Sequence, residues 1–120
     1  MQSTSHPMKG ELYLVRFPDD RIHKRGMRPA VVVQSDFINS TAIQTTLVCP
    51  LTSLLRGLRS HLELLPSSVN GLKHTSAVVC EQVVVVDKED LQKKIGQLTY
   101  EEMLELEDML LLVFDIGRTL

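Results

Sequence analysis

Ser76-Ala-Val-Val-Cys-Glu-Gln-Val-Val-Val-Val86 is the longest β-branched run in the chain, and its reading decides the fold. Valine-rich segments suit a pleated sheet, so this run is one bent strand or two. Working outward, His61 to Leu64 places Leu62 and Leu64 in alternation with His61 and Glu63, a shorter strand. Thr45 to Cys49 is another candidate. Ala30 to Gln34, bounded by Pro29 and by Ser35-Asp36, reads as a strand buried on both faces, with proline at the first position, where a strand tolerates it. Glu11 to Phe17 adds a strand with Tyr13, Val15 and Phe17 on one face, ended by Pro18, Asp19 and Asp20. Five strands within about 75 residues make a compact β core.

Beyond this core the period changes. Thr99 followed by Glu102 is a capping-box pattern, and Met103, Leu106, Leu110 and Val113 recur at helical spacing through Tyr100 to Ile116, with Gly117 as a stop. Asp87 with Asp90 suggests a second, short helix ending near Lys94. The expected class is α+β: a small antiparallel, barrel-like sheet followed by a C-terminal helix. Residues 1–8, including His6, lack periodicity and read as a frayed tail ahead of a single domain over 9–117.

A length of 120 residues fits one domain, and 43% hydrophobic with 23% charged residues is ordinary for a globular chain. No apolar stretch is long enough to span a membrane and Met1 to Lys9 has no signal-peptide character, so the cytoplasm is the expected location. Cys49 and Cys80 sit in apolar runs and are expected to be buried thiols. The overall charge of −2 conceals an asymmetry. Arg21 to His74 carries seven cations against two acids, a net of +5, whereas the chain from Asp87 onward carries nine acids against four cations, a net of −5. A basic half suits an anionic ligand.

The glycines are scattered and form no phosphate-cradling loop. The four histidines are far apart and no Cys-x-x-Cys occurs, so neither a metal nor a cofactor is expected. What remains is a set of cations and hydroxyls at strand ends. Arg28 precedes one buried run and Thr52 follows another. If those strands are antiparallel neighbours, an arginine fork and a hydroxyl share one edge, which suits a phosphate.

In order along the chain stand Lys9-Gly10-Glu11, Arg28-Pro29-Ala-Val-Val-Val, Pro50-Leu51-Thr52-Ser53, Cys80-Glu81-Gln82, Asp87-Lys88 and Ile95-Gly96-Gln97-Leu98. This series, spread over Lys9 to Ile116, resembles the MazF/PemK toxins of bacterial toxin–antitoxin systems. The resemblance implies an SH3-like barrel that dimerises and cuts single-stranded RNA at short sequence-defined sites, leaving a 2′,3′-cyclic phosphate and a 5′-hydroxyl. It also implies catalytic roles for Arg28 and Thr52. Glu81 matches a position that is acidic in several members and linked to substrate handling. Where the family often has Gly-Ser-Glu-Gln, this chain has Arg21-Ile-His-Lys-Arg-Gly26, with His23 near the glutamate position, so base specificity is not carried over.

Attack of a ribose 2′-OH on the adjacent phosphate needs in-line geometry, a base, an acid and stabilisation of the phosphorane oxygens. Arginine stays protonated, so gripping the phosphorane is the natural task of Arg28, with proton donation through a shifted environment as a further one, and Thr52 donates to the same group. The base stays open among His23, His61, His74 and Glu81. With five aromatics, extensive base stacking is not expected, and recognition falls to loop side chains including His23, Lys24, Arg25, Ser53 and Arg56. The competing readings are a gyrase-poisoning CcdB-type toxin, which acts through a tryptophan this chain lacks, and an RNA-binding regulator without cleavage. The apolar run Met109 to Phe114 calls for a second copy as cover. The resemblance adds an antitoxin with an acidic, disordered segment that occupies the basic groove.

Overall fold

The computed structural model describes residues 6–17 and 27–117. Seven strands form one sheet: β1 (Glu11–Arg16), β2 (Met27–Val32), β3 (Thr45–Thr52), β4 (His61–Leu64), β5 (Ser76–Val79), β6 (Val84–Asp87) and β7 (Leu91–Gln97). Helix α1 (Asp36–Asn39) is a single capped turn between β2 and β3, and α2 (Tyr100–Phe114) follows β7. The strand order is β4-β5-β3-β2-β1-β7, with β6 also paired to β3, and all pairings are antiparallel. No helix among the described residues is long and apolar enough to cross a membrane.

β3 organises the sheet. Its first half pairs with β6, from Thr45↔Asp87 to Val48↔Val84, and its end pairs with β5 through Leu51↔Val78 and Thr52↔Ala77. The run Ser76–Val86 is therefore two strands on one partner, separated by a turn in which the amide of Gln82 donates to the Val79 carbonyl (3.1 Å). Pro50 lies between the two ladders, where its missing N–H costs no hydrogen bond.

Alternation divides the apolar residues between two cores. Leu12, Val31, Cys49 and Leu51 face one side, where they meet Leu62, Leu64, Val78, Cys80 and the fully buried Leu106 of α2. Val15, Ala30, Val32, Val48 and Val86 face the other, with Tyr13, Phe17, Val84 and Leu91 packed around them. β2 is thus buried on both faces as expected, and Tyr13, Val15 and Phe17 do share a face. Both cysteines are free and buried. Burial pushes the Cys49 thiol up to about 12 and that of Cys80 up to about 11.

Several elements differ from the sequence reading. No helix runs from Asp87 to Lys94: Lys88–Asp90 form one 3-10 turn without a side-chain cap from Asp87, and the following residues become β7. Pairing along β1 outweighs the weak capping signal, and Lys94 bridges to Glu11 at 2.8 Å. Burial by itself would raise the Glu11 carboxyl, yet hydrogen bonds from Lys94, the Met8 amide and Tyr13 hold it below the usual range. β2 begins at Met27, so Arg28 lies inside the strand and Pro29 is its third residue, beyond the last pairing with β3 at Ala30. β3 runs on to include Thr52. The capping box of Thr99 and Glu102 forms as expected, but α2 stops at Asp115 in the left-handed region (φ 56°), ahead of Gly117. Of the expected tail, residues 1–5 lie outside the described ones. Pro7 is buried and the Met8 amide donates to Glu11 Oε1 (2.9 Å).

The expected SH3-like barrel is an α+β sheet with a C-terminal helix, and it is not closed: β4 and β7 are its two ends. The segment after β4 bridges them. Gln97 N donates to Val69 O (3.0 Å), and the backbones approach so closely that a Cβ on Gly71 or Gly96 would overlap Ile95 or Asn70. Buried Asn70 ties this segment together, accepting from the amides of Ser67 (3.0 Å) and Leu72 (2.9 Å) and donating to Leu65 O (2.8 Å).

Candidate active site

The register of β2 and β3 sets the geometry. Ala30 opposes Pro50 and Val31 opposes Cys49, so continuing the same register sets Arg28 opposite Thr52. On the other side of β3, Thr52 opposes Ala77, which sets Ser53 beside Ser76. Three strand ends thus meet at one edge, as the sequence suggested for Arg28 and Thr52.

They enclose a cleft of about 260 Å³ lined by Met27, Arg28, Pro29, Leu51, Thr52, Ser53, His74 and Ser76. Arg28 Nη2 donates to the Leu51 carbonyl (3.2 Å), and the guanidinium lies 5.9 Å from the centre of the Phe17 ring. A backbone carbonyl on a rigid strand and an aromatic face therefore hold the fork at the cleft. Thr52 Oγ1 accepts from Leu54 N (3.1 Å), which leaves the hydroxyl proton to donate elsewhere. Ser76 Oγ donates to the His74 carbonyl (2.9 Å), shaping the turn that carries His74 to the rim.

The other sequence candidates are spread more widely. Ser53 lines the cleft. Arg56 is exposed on the segment between β3 and β4 and does not line it. His23, Lys24 and Arg25 lie outside the described residues. Glu81 is absent from the cleft: it sits past the far end of β5, accepting from Ser60 Oγ (2.7 Å) and lying 3.1 Å from His61 Nε2. Burial pushes the Glu81 carboxyl upward, but these hydrogen bonds outweigh it and hold the group below its ordinary value. His61 is enclosed, its side chain 4% exposed, and its Nδ1 has no partner among the described residues. Of the candidate bases only His74 reaches the cleft among the described residues. Ser76 was not singled out from sequence because it opens a valine-rich strand; only the pairing of β3 with β5 reveals its position. Among the described residues no three His, Cys, Asp or Glu side chains converge as a metal site.

An arginine fork, two serines, a threonine and a histidine at the edge of a small open sheet define a site suited to a phosphate group. A family model described as PemK-like, MazF-like toxin of type II toxin-antitoxin system matches residues 8–114, and the chain belongs to this family. Among curated proteins it is similar to Endoribonuclease MazF9 of Mycobacterium tuberculosis (strain ATCC 25618 / H37Rv), with 29% identity over 113 residues that cover 90% of this chain and 96% of that protein. The fold is shared with an endoribonuclease in complex with its cognate antitoxin from a Mycobacterial species (TM-score 0.79, 18% identity, 94% of this chain and 99% of that one). It is also shared with MazF from Deinococcus radiodurans (TM-score 0.74, 20% identity, 94% and 100%).

Proposed function

We propose that this chain is an endoribonuclease toxin that cuts single-stranded RNA at short sequence-defined sites without a metal, leaving a 2′,3′-cyclic phosphate and a 5′-hydroxyl. The observation that carries the reading is the juxtaposition of Arg28 and Thr52 across β2 and β3, in a cleft furnished with hydroxyl groups. The name of the mycobacterial relative supports it.

In this reading the scissile phosphate enters between Arg28 and Thr52. The guanidinium donates two parallel hydrogen bonds to the non-bridging oxygens, and the Thr52 hydroxyl donates a third as charge builds on the phosphorane. Positive charge and hydroxyl dipoles stabilise that charge, the task a metal ion performs in other nucleases. Ser53 orients the phosphate from the same edge, Arg56 holds the RNA backbone farther along, and His23, Lys24 and Arg25 contact the flanking nucleotides. Glu81 has its place in substrate handling only where the RNA runs past the far end of β5.

The toxin acts as a cytoplasmic homodimer. The apolar run at the end of α2 leaves Leu111, Leu112 and Phe114 45%, 52% and 54% exposed, which a second copy covers. A cognate antitoxin neutralises it through an acidic segment, attracted by the net +5 between Arg21 and His74. The related endoribonuclease from a Mycobacterial species forms a complex with its cognate antitoxin.

The deciding experiment is incubation of the protein with a long RNA in excess EDTA, followed by sequencing and chemical analysis of the new ends. Cuts at one short motif with cyclic-phosphate termini are expected. Cleavage that vanishes in chelator and returns with magnesium or manganese would refute the mechanism. Sedimentation at micromolar concentration should give a dimer, and charge reversal at Lys24 and Arg25 should weaken antitoxin inhibition.

A further inference from the structure

Cyclisation of RNA moves two protons: one leaves the 2′-OH and one must reach the departing 5′-oxygen. Arg28 and Thr52 stabilise charge, but neither is a base near neutrality. Arginine does not deprotonate in proteins, and a threonine hydroxyl without a partner base does not accept a proton readily. The cleft therefore needs a third chemical group.

Histidine is the side chain whose charge state changes between pH 5 and 8, and the molecule treats its described histidines differently. His61 is enclosed and faces Glu81, past the opposite end of β5. His6 opens on a separate groove with Tyr13 and Lys88. His74 is exposed and stands at the rim of the cleft that holds Arg28, Thr52 and Ser53. Its position is built: Ser76 Oγ grips the His74 carbonyl, and the Asn70 knot fixes the preceding turn against β7. Among the described residues that line the cleft, Arg28, from β2, is the charged group facing it. β3 contributes Thr52 and Ser53 and β5 contributes Ser76, none of which titrates near neutrality.

Resting on the ribonuclease reading, we infer that His74 is the general base of the reaction. Its neutral imidazole takes the proton of the 2′-OH as the 2′-oxygen forms its bond to phosphorus. The bond from phosphorus to the 5′-oxygen then breaks, and the leaving oxygen takes a proton from solvent in the open cleft. The imidazolium returns its proton to water, so the cycle balances without a further reactant.

The test is the pH profile of kcat/KM for cleavage of a short RNA by wild type, His74→Ala and His23→Ala. Wild-type activity should rise with pH on the acid side. His74→Ala should lose about a hundredfold or more and lose that rising limb, while His23→Ala retains the limb. Added imidazole should restore part of the activity of His74→Ala. Affinity for an RNA carrying a 2′-deoxy sugar at the cut should be unchanged, because that ligand has no proton to give up. A His74→Ala variant that keeps the limb and cuts within about threefold of wild type would overturn the inference alone. Loss of the limb in His23→Ala instead would do the same. A wild-type protein that cuts no RNA would overturn the nuclease reading and this inference with it.

Discussion

The two ends of the β4–β5 hairpin carry the same residue types and use them in opposite ways. At the start of β5, Ser76 and His74 open onto a cleft shared with Arg28 and Thr52. Past its other end, the Glu81 carboxylate accepts from Ser60 Oγ and meets Nε2 of His61, whose imidazole is enclosed. The strand between them spans roughly 10 Å, so one group does not substitute for the other. At the start of β5 these residue types line an open cleft that a ligand can enter. At the Glu81 end the carboxylate is engaged by Ser60 and by an enclosed imidazole that a ligand does not reach.

Substitutions at the two ends should therefore separate activity from stability. The largest effect falls on the cleft. Arg28→Ala and Thr52→Ala should each lower cleavage by about a hundredfold or more, the scale for loss of one transition-state donor. Thermal unfolding should stay close to wild type, since neither side chain belongs to a fully buried core. Full activity in Arg28→Ala would remove the cleft from the mechanism.

Next comes the helix that closes the core behind the hairpin. Leu106→Ala should cost about 2–5 kcal/mol in denaturant unfolding, because a completely buried leucine leaves a cavity. Residual folded protein should still cut RNA with unchanged end chemistry.

A smaller effect is expected at Glu81. Glu81→Gln should cost about 1 kcal/mol or less, given the exposure of the carboxylate, and leave kcat within a few-fold of wild type. Its folded-state carboxyl is held low, so its contribution is complete above the unfolded-state value and fades as pH falls through the folded one. The stability gap between wild type and variant should accordingly be full at neutral pH and close in the acid range. A large fall in cleavage with unchanged stability would instead make Glu81 a substrate contact.

The smallest effect is a null. Cys49 and Cys80, with thiols pushed up to about 12 and about 11, should resist iodoacetamide in the native protein and react once it is unfolded. Rapid native labelling would show that the core opens.

Much of this was legible in the chain, for physical reasons. Short apolar, β-branched runs mark β1, β2 and β3 because such side chains suit a buried sheet, and the capping box of Thr99 and Glu102 marks α2 because its partners are three residues apart. The strand Leu91–Gln97 was not legible: Gln92, Lys93 and Lys94 are exposed on an edge, so no hydrophobic alternation announces them. Its identity depends on β1, more than 70 residues away.

The candidate site divides in the same way. The sequence by itself determined the residue types, an arginine before one β-branched run and a threonine after another, because side-chain chemistry and local periodicity are properties of the chain. Only the tertiary structure decided that these two stand opposite each other, that His74 joins them and that Glu81 does not. Those relations follow from the pairing register of β2, β3 and β5, and register is settled by packing between segments that are distant along the chain.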